Sequence, residues 1–155
     1  MNTIISEKEY KKILEHVPIA CVDLVIAHKN KVLLVLRNKS PAKGNWWLVG
    51  GRVLKGESLE DAAARKALEE VGLKVSIERK IGFYDTIFED GPFPDLKTGV
   101  HTINVCFLAR CVDEEPQIKI DKTSDHFKWI DKIDSSLHSY PQKVLNDAGV
   151  FRHEK

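Results

Sequence analysis

The sequence predicts an α+β fold, an α/β/α sandwich around a mixed β-sheet. Three observations predict it. Strand-like apolar runs lie on either side of one central helix, a helix lies near each end, and 155 residues suit a single domain spanning 1–155. Ser6-Glu-Lys-Glu9 is a capping-box pattern. Tyr10, Ile13, Leu14 and Val17 follow at helical spacing until Pro18 stops the helix. Residues 19–27 and 32–36 read as two strands joined by a turn at 28–31, hence a hairpin. A loop with Pro41 and Gly44 leads to a short strand, Trp46 to Val49, that runs into Gly50-Gly51.

Ser58 is placed to cap the central helix, with Asp61 completing its box and Gly72 at the left-handed C-terminal position. Val75 to Phe88 reads as a strand bent at Gly82. Residues 89–99, with two prolines and two glycines, form a loop, either a lid or a surface connection. Thr102 to Cys111 is a strong strand, Phe127 to Ile130 a short one, and 136–146 a final helix.

Composition excludes several functions. Apolar residues make up 43% of the chain, enough for a core, and a formal net charge of +1 gives no basic field for a nucleic acid polymer. The first residues lack the apolar run of a signal peptide, and nothing approaches a membrane span. Three cysteines without a C-x-x-C pair read as buried free thiols. A cytoplasmic protein with no membrane partner is the expectation.

The stretch from Gly51 to Leu73 carries most of the functional signal. At about 100° per residue, Glu69 lies about 60° to one side of Lys66 and Glu70 about 40° to the other, so all three share a helix face. Ala64, Ala67, Leu68 and Val71 are expected on the opposite side, against the sheet. Glu69, Glu70 and the Gly50 carbonyl are hard oxygen ligands of the kind Mg2+ takes. Arg65 is in reach of Glu69 and of Glu57 across the turn. For a lone Glu-Glu pair the plainer reading is a solvated helix laced by i,i+4 pairs, each contributing roughly 0.2–0.5 kcal/mol. The flanking glycines and the spacing of Glu57 and Arg65 argue against it.

This stretch resembles the Nudix box, G-x5-E-x7-R-E-U-x-E-E-x-G-U with U a bulky aliphatic. Gly51, Glu57, Arg65, Glu69, Glu70, Gly72 and Leu73 match; Lys66 replaces the first Glu of the R-E-U-x-E-E run, and Ala67 the aliphatic. The resemblance implies the Nudix fold and hydrolysis of a small-molecule nucleoside diphosphate derivative with Mg2+ or Mn2+, Gly50, Glu69 and Glu70 holding the metal. A protonated lysine is no metal ligand, and losing a general base costs a factor of about 10²–10⁴.

The chain is similar to the GDP-mannose mannosyl hydrolase branch, whose box lacks this same Glu and whose attack falls on the anomeric carbon. Arg37-Asn-Lys-Ser-Pro41-Ala42-Lys-Gly44-Asn-Trp46-Trp, then Gly50-Gly51-Arg52-Val53, and Asp23 within Cys21-Val22-Asp23-Leu24 carry the likeness. It implies that Arg37 and Arg52 bind the departing diphosphate and act in catalysis, that Asp23 binds substrate, and that the chain forms a homodimer, for which the apolar stripe of the first helix would serve. Ser124 falls where that branch has its histidine base and Thr123 where it has a metal-binding amide, so the base role passes to Asp125 or His126. His101, just before a strand, is placed to face the sugar. Of Trp46 and Trp47, one packs in the core while the other is free to line the cleft. Three readings follow: hydrolysis of a nucleotide sugar at carbon, a diphosphatase cutting at phosphorus, or a nucleotide-binding sensor without turnover.

Overall fold

The computed structural model describes residues 5–151; the first four residues of the N-terminal segment read above lie outside them. Ten elements follow in order: α1 (Glu7–His16), β1 (Ile19–His28), β2 (Lys31–Arg37), β3 (Trp46–Trp47), β4 (Val49–Arg52), α2 (Leu59–Val71), β5 (Val75–Phe88), β6 (Val100–Cys111), β7 (Ser124–Ile130) and α3 (Ser139–Ala148). The strands form one seven-stranded mixed sheet whose main path is β3-β2-β1-β6-β5. β1 and β6 run parallel; the other pairs are antiparallel.

The sandwich has a distinct apolar layer on each face. Ala62, Ala63, Ala67 and Val71 of α2 pack on Val22, Leu24, Leu33 and Val35. On the other face Tyr140, Val144, Leu145 and Ala148 of α3 pack on Val25, Val32, Leu34 and Trp47. Strand alternation sends neighbouring residues of β1 and β2 to opposite layers. Leu68, expected against the sheet, is 54% exposed, and Ala64 is half-buried. The buried stripe is centred on Ala63 and Ala67, which turns Lys66 and Glu70 toward β4.

Local chemistry accounts for the boundaries. Ser6 and Glu9 close the capping box in both directions. Ser58 Oγ accepts the Asp61 amide at 3.1 Å, but no returning bond from the shorter Asp61 side chain is present. Gly72 caps α2 with φ +70°. Lys29 and Asn30, both at positive φ, make the two-residue turn of the β1–β2 hairpin. The single strand expected from Trp46 is two: β3 pairs with β2, β4 pairs with β1, and Leu48 crosses between them. β7 begins at Ser124 rather than 127, because Asn38 Nδ2 donates to Lys122 O and Asp125 Oδ1 and holds the segment in register with β2. α3 starts later than expected: Ser136 closes a turn on Asp134, and His138 Nδ1 accepts the Tyr140 amide as the cap.

The stripe of α1 is spent inside the chain. Leu14 packs with Ile19, Leu96 and Val100, and Tyr10 meets Phe93 edge-on. Lys11 Nζ adds an ion pair to Asp95 at 2.9 Å. The 89–99 segment is therefore docked on α1.

Candidate active site

A cleft of about 280 Å³ opens where β1 exchanges partners. On one flank β1 pairs with β4 over Cys21–Leu24 and with β2 over Ala27–His28, while β6 follows its other flank from Ile19 to Ala27. β2 thus diverges from β1 and leaves a gap. Asp23, Arg37, Gly50, Arg52 and Glu70 border it, with Tyr10, Trp47, Thr102, Asn104 and Tyr140.

Each bordering side chain is held by identifiable contacts. Arg37 Nε donates to Pro41 O at 2.9 Å, so the 38–45 loop fixes its guanidinium. Arg52 lies against the Tyr10 ring, its Cζ 4.4 Å from the centroid, a cation–π contact. Asp23 is buried, and its Oδ2 accepts the Tyr140 hydroxyl at 2.5 Å. Burial pushes its carboxyl up to about 7 against the opposing pull of that hydrogen bond. Gly50 is needed beside it: a Cβ there would overlap Asp23 Oδ1 and the Val22 carbonyl oxygen. Cys21 also lines the cleft, but burial raises its thiol to about 12, which leaves it a poor nucleophile.

The α2 face carries the charges. Arg65 donates to both oxygens of Glu57, to Glu69 and to Arg52 O, tying α2, the preceding loop and β4 together. Lys66 Nζ stands 3.1 Å from Glu70 Oε1 and 3.4 Å from Glu69 Oε2. Glu70 Oε2 accepts the Gly50 amide at 3.3 Å, so here it is the amide of Gly50 that meets this carboxylate. Burial raises the Glu70 carboxyl, opposed by the charge of Lys66. No cluster of three or more His, Cys, Asp or Glu side chains converges among the described residues. Two carboxylates nevertheless share a single cationic partner, the Lys66 ammonium, and carboxylate oxygens are the donors a hard divalent ion takes.

Asp23, Arg37, Gly50, Arg52 and Glu70 thus border one cleft, while Glu69, His101, Asp125 and His126 lie outside its lining. Glu69 is exposed at the outer end of the helix face, paired with Arg65 and Lys66. His101 lies inside β6, not before it. Thr102 and Asn104 face the cleft, so alternation sends His101 to the other side, where it pairs with Asp85 at 3.4 Å. Asp125 and His126 are exposed on β7 outside the cleft lining, because the strand extends back through them; Thr123 takes the bordering position. Trp47 both packs in the core and lines the cleft, and Trp46 lies under Lys128.

Sequence reasoning missed Tyr140, Asn104 and Tyr10. Asn104 is 3% exposed and its Nδ2 has no protein partner. A polar residue set between Ile103 and the apolar run Val105-Cys-Phe-Leu-Ala109 was the available signal for it. Tyr140 sits 117 residues from the carboxylate it contacts, and no local pattern reports that.

Comparison with known proteins agrees with this architecture. The NUDIX domain profile matches residues 16–148. The Low-salt glycan biosynthesis protein Agl8 of Haloferax volcanii is 32% identical over 145 residues, 94% of this chain and 91% of its own. An ADP-ribose pyrophosphatase of Methanocaldococcus jannaschii is 28% identical over 145 residues, 93% of this chain and 81% of its own. The crystal structure of a MutT protein from Methanosarcina mazei superposes with a TM-score of 0.68 at 21% identity, covering 84% of this chain and 93% of that one, which speaks to the fold alone. A profile spanning most of the chain, a relative matched nearly end to end, and a glycine turn running into a carboxylate-bearing helix beside a cleft lead to one conclusion: the chain belongs to the NUDIX family and is a Nudix hydrolase.

Proposed function

We propose that this hydrolase cleaves a nucleotide sugar, a GDP-mannose-like nucleoside diphosphate derivative, by attack of water at the anomeric carbon. The observation that carries the reading is the ammonium of Lys66 between Glu69 and Glu70. It occupies the helix face where a third carboxylate would be required to activate water at phosphorus. Attack at carbon needs instead a stabilised diphosphate leaving group, and Arg37 and Arg52 border the same cleft as Glu70. Nudix hydrolases generally use divalent metal ions. Glu70 and Glu69 would hold one, Mg2+ or Mn2+, with the Gly50 carbonyl as the further donor expected from the sequence; its contribution when bound would be neutralisation of charge on the diphosphate. With Asp125 and His126 outside the cleft, Asp23 is the carboxylate we assign to receive the proton of the attacking water, held in place by Tyr140.

The printed name of the Haloferax relative, a glycan biosynthesis protein, supports a sugar-bearing substrate. The Methanocaldococcus relative's name supports the second reading, a pyrophosphatase cutting at phosphorus. Nucleotide sugars and ADP-ribose, incubated with Mg2+ or Mn2+ in ¹⁸O water, separate the two. Attack at carbon puts the label in the free sugar and leaves an unlabelled nucleoside diphosphate. Label in a nucleoside monophosphate or a sugar phosphate would overturn the first reading.

Two further parts of the proposal concern context. The three free cysteines suit a reducing compartment, and we place the protein in the cytoplasm. Homodimerisation is retained as a proposal on a different surface, since α1 is already engaged. Phe83, Ile87 and Ile103 are exposed on β5 and β6. Sedimentation at micromolar concentration would remove it by returning the mass of a single chain.

A further inference from the structure

We propose that Lys66 is a tethered counter-ion that holds the cation position between Glu69 and Glu70, so that a divalent ion enters only by exchange with the protein's own ammonium. The side chain is seated for this. Its tip meets one oxygen of each carboxylate, at 3.4 and 3.1 Å, and only 16% of the side chain is exposed. Its stem lies across Gly51, where a Cβ would come within 2.5 Å of Cε and 3.1 Å of Nζ. A glycine at 51 is therefore what gives the lysine its berth.

The surrounding charges favour retention of one cation. Glu57 is committed to Arg65 and to the Leu54 amide. Arg65 also reaches Glu69, but among the described residues Glu70 has Lys66 as its cationic partner and only a backbone amide besides. Asp121 adds negative charge near Glu70: its amide donates to Glu70 O, and its Oδ1 accepts from the Thr123 amide and hydroxyl. A half-buried carboxylate without a counter-ion is costly, so the metal-free protein needs the ammonium, and an incoming ion gains only the difference between two cations. The exchange makes divalent binding weak by construction and lets the fold stand without metal.

The inference rests on the divalent-ion part of the hydrolase reading and not on where water attacks. It is tested without substrate, so its failure is distinguishable from failure of the carbon-attack reading. Mn2+ is titrated into the substrate-free chain and into Lys66→Met, which removes the charge and keeps the stem over Gly51. Binding is followed by calorimetry and by electron paramagnetic resonance, and thermal melting with and without Mn2+. The expected result is ten-fold or more tighter Mn2+ binding in Lys66→Met, a lower melting temperature without metal, and a larger upward shift with it. Less than a ten-fold gain, weaker binding, or no binding in either chain overturns the proposal. Lys66→Ala repeats the measurement if the methionine variant fails to fold.

Discussion

Arg65 grips Glu57 with two hydrogen bonds, Nε to Oε2 at 3.0 Å and a terminal nitrogen to Oε1 at 2.6 Å. The same guanidinium donates to Arg52 O at 2.9 Å. It joins the helix, the turn before it and the strand that carries a cleft arginine. Lysine at 65 cannot reproduce a planar fork. Arg65→Lys is expected to lose about 1–3 kcal/mol of stability, the scale of a charged hydrogen bond left unmade, and to weaken nucleotide binding through Arg52. Urea unfolding and ligand titration check both.

The same pair sets an acid limit. Hydrogen bonding from Arg65 holds the Glu57 carboxyl below its ordinary value of 4.5. A group whose folded value is depressed contributes stability above its unfolded value and loses it as pH falls through the folded one. The stability gap between the native chain and Glu57→Gln should therefore be full near pH 6 and shrink below pH 4.5. Melting temperatures of the two across that range would show it; a constant gap would disprove the assignment.

Asp23 behaves oppositely. Burial lifts it from 3.8 to about 7, so folding favours its protonated form. Its contribution is most favourable below pH 3.8 and is lost as pH rises toward 7. Asp23→Asn keeps an acceptor for Tyr140 and removes the titration. It should melt with the native chain near pH 4 and above it at pH 8, by at least roughly 2 °C, about 1 kcal/mol at this length. Hydrolysis should nevertheless fall by a factor of about 10² or more if Asp23 receives the proton.

The adjacent glycines should differ sharply. A methyl at Gly50 meets backbone and the fixed Asp23 carboxylate, whereas one at Gly51 meets only the Lys66 side chain. Gly50→Ala is expected to cost about 3 kcal/mol or more and Gly51→Ala less than about 1.5. Adding Lys66→Ala should relieve the second and leave the first unchanged, a coupling that a double-mutant cycle measures.

The box residues could be read from sequence because their contacts are local: Arg65 meets Glu57 and Glu69 within eight positions. The capping box at Ser6, the αL position of Gly72 and the strand runs were legible for the same reason. What was not legible depends on register. His101 changed sides because β6 starts at Val100, and Asp125 and His126 became strand residues because Asn38 reaches 87 positions along the chain to hold β7. Tyr140 belongs to the cleft because α3 crosses the sheet there, a packing fact with no periodic signature.

The fork in β1 has a consequence for how this site can change over time. The groups at its centre, Asp23 and Gly50, are register partners in the β1–β4 pair, so a change at either is felt by the sheet itself. The 38–45 and 89–99 segments that rim the cleft carry no such obligation. Variation in substrate preference can accumulate in the rim while the centre stays fixed, because any drift at the fork is charged directly to the stability of the whole domain.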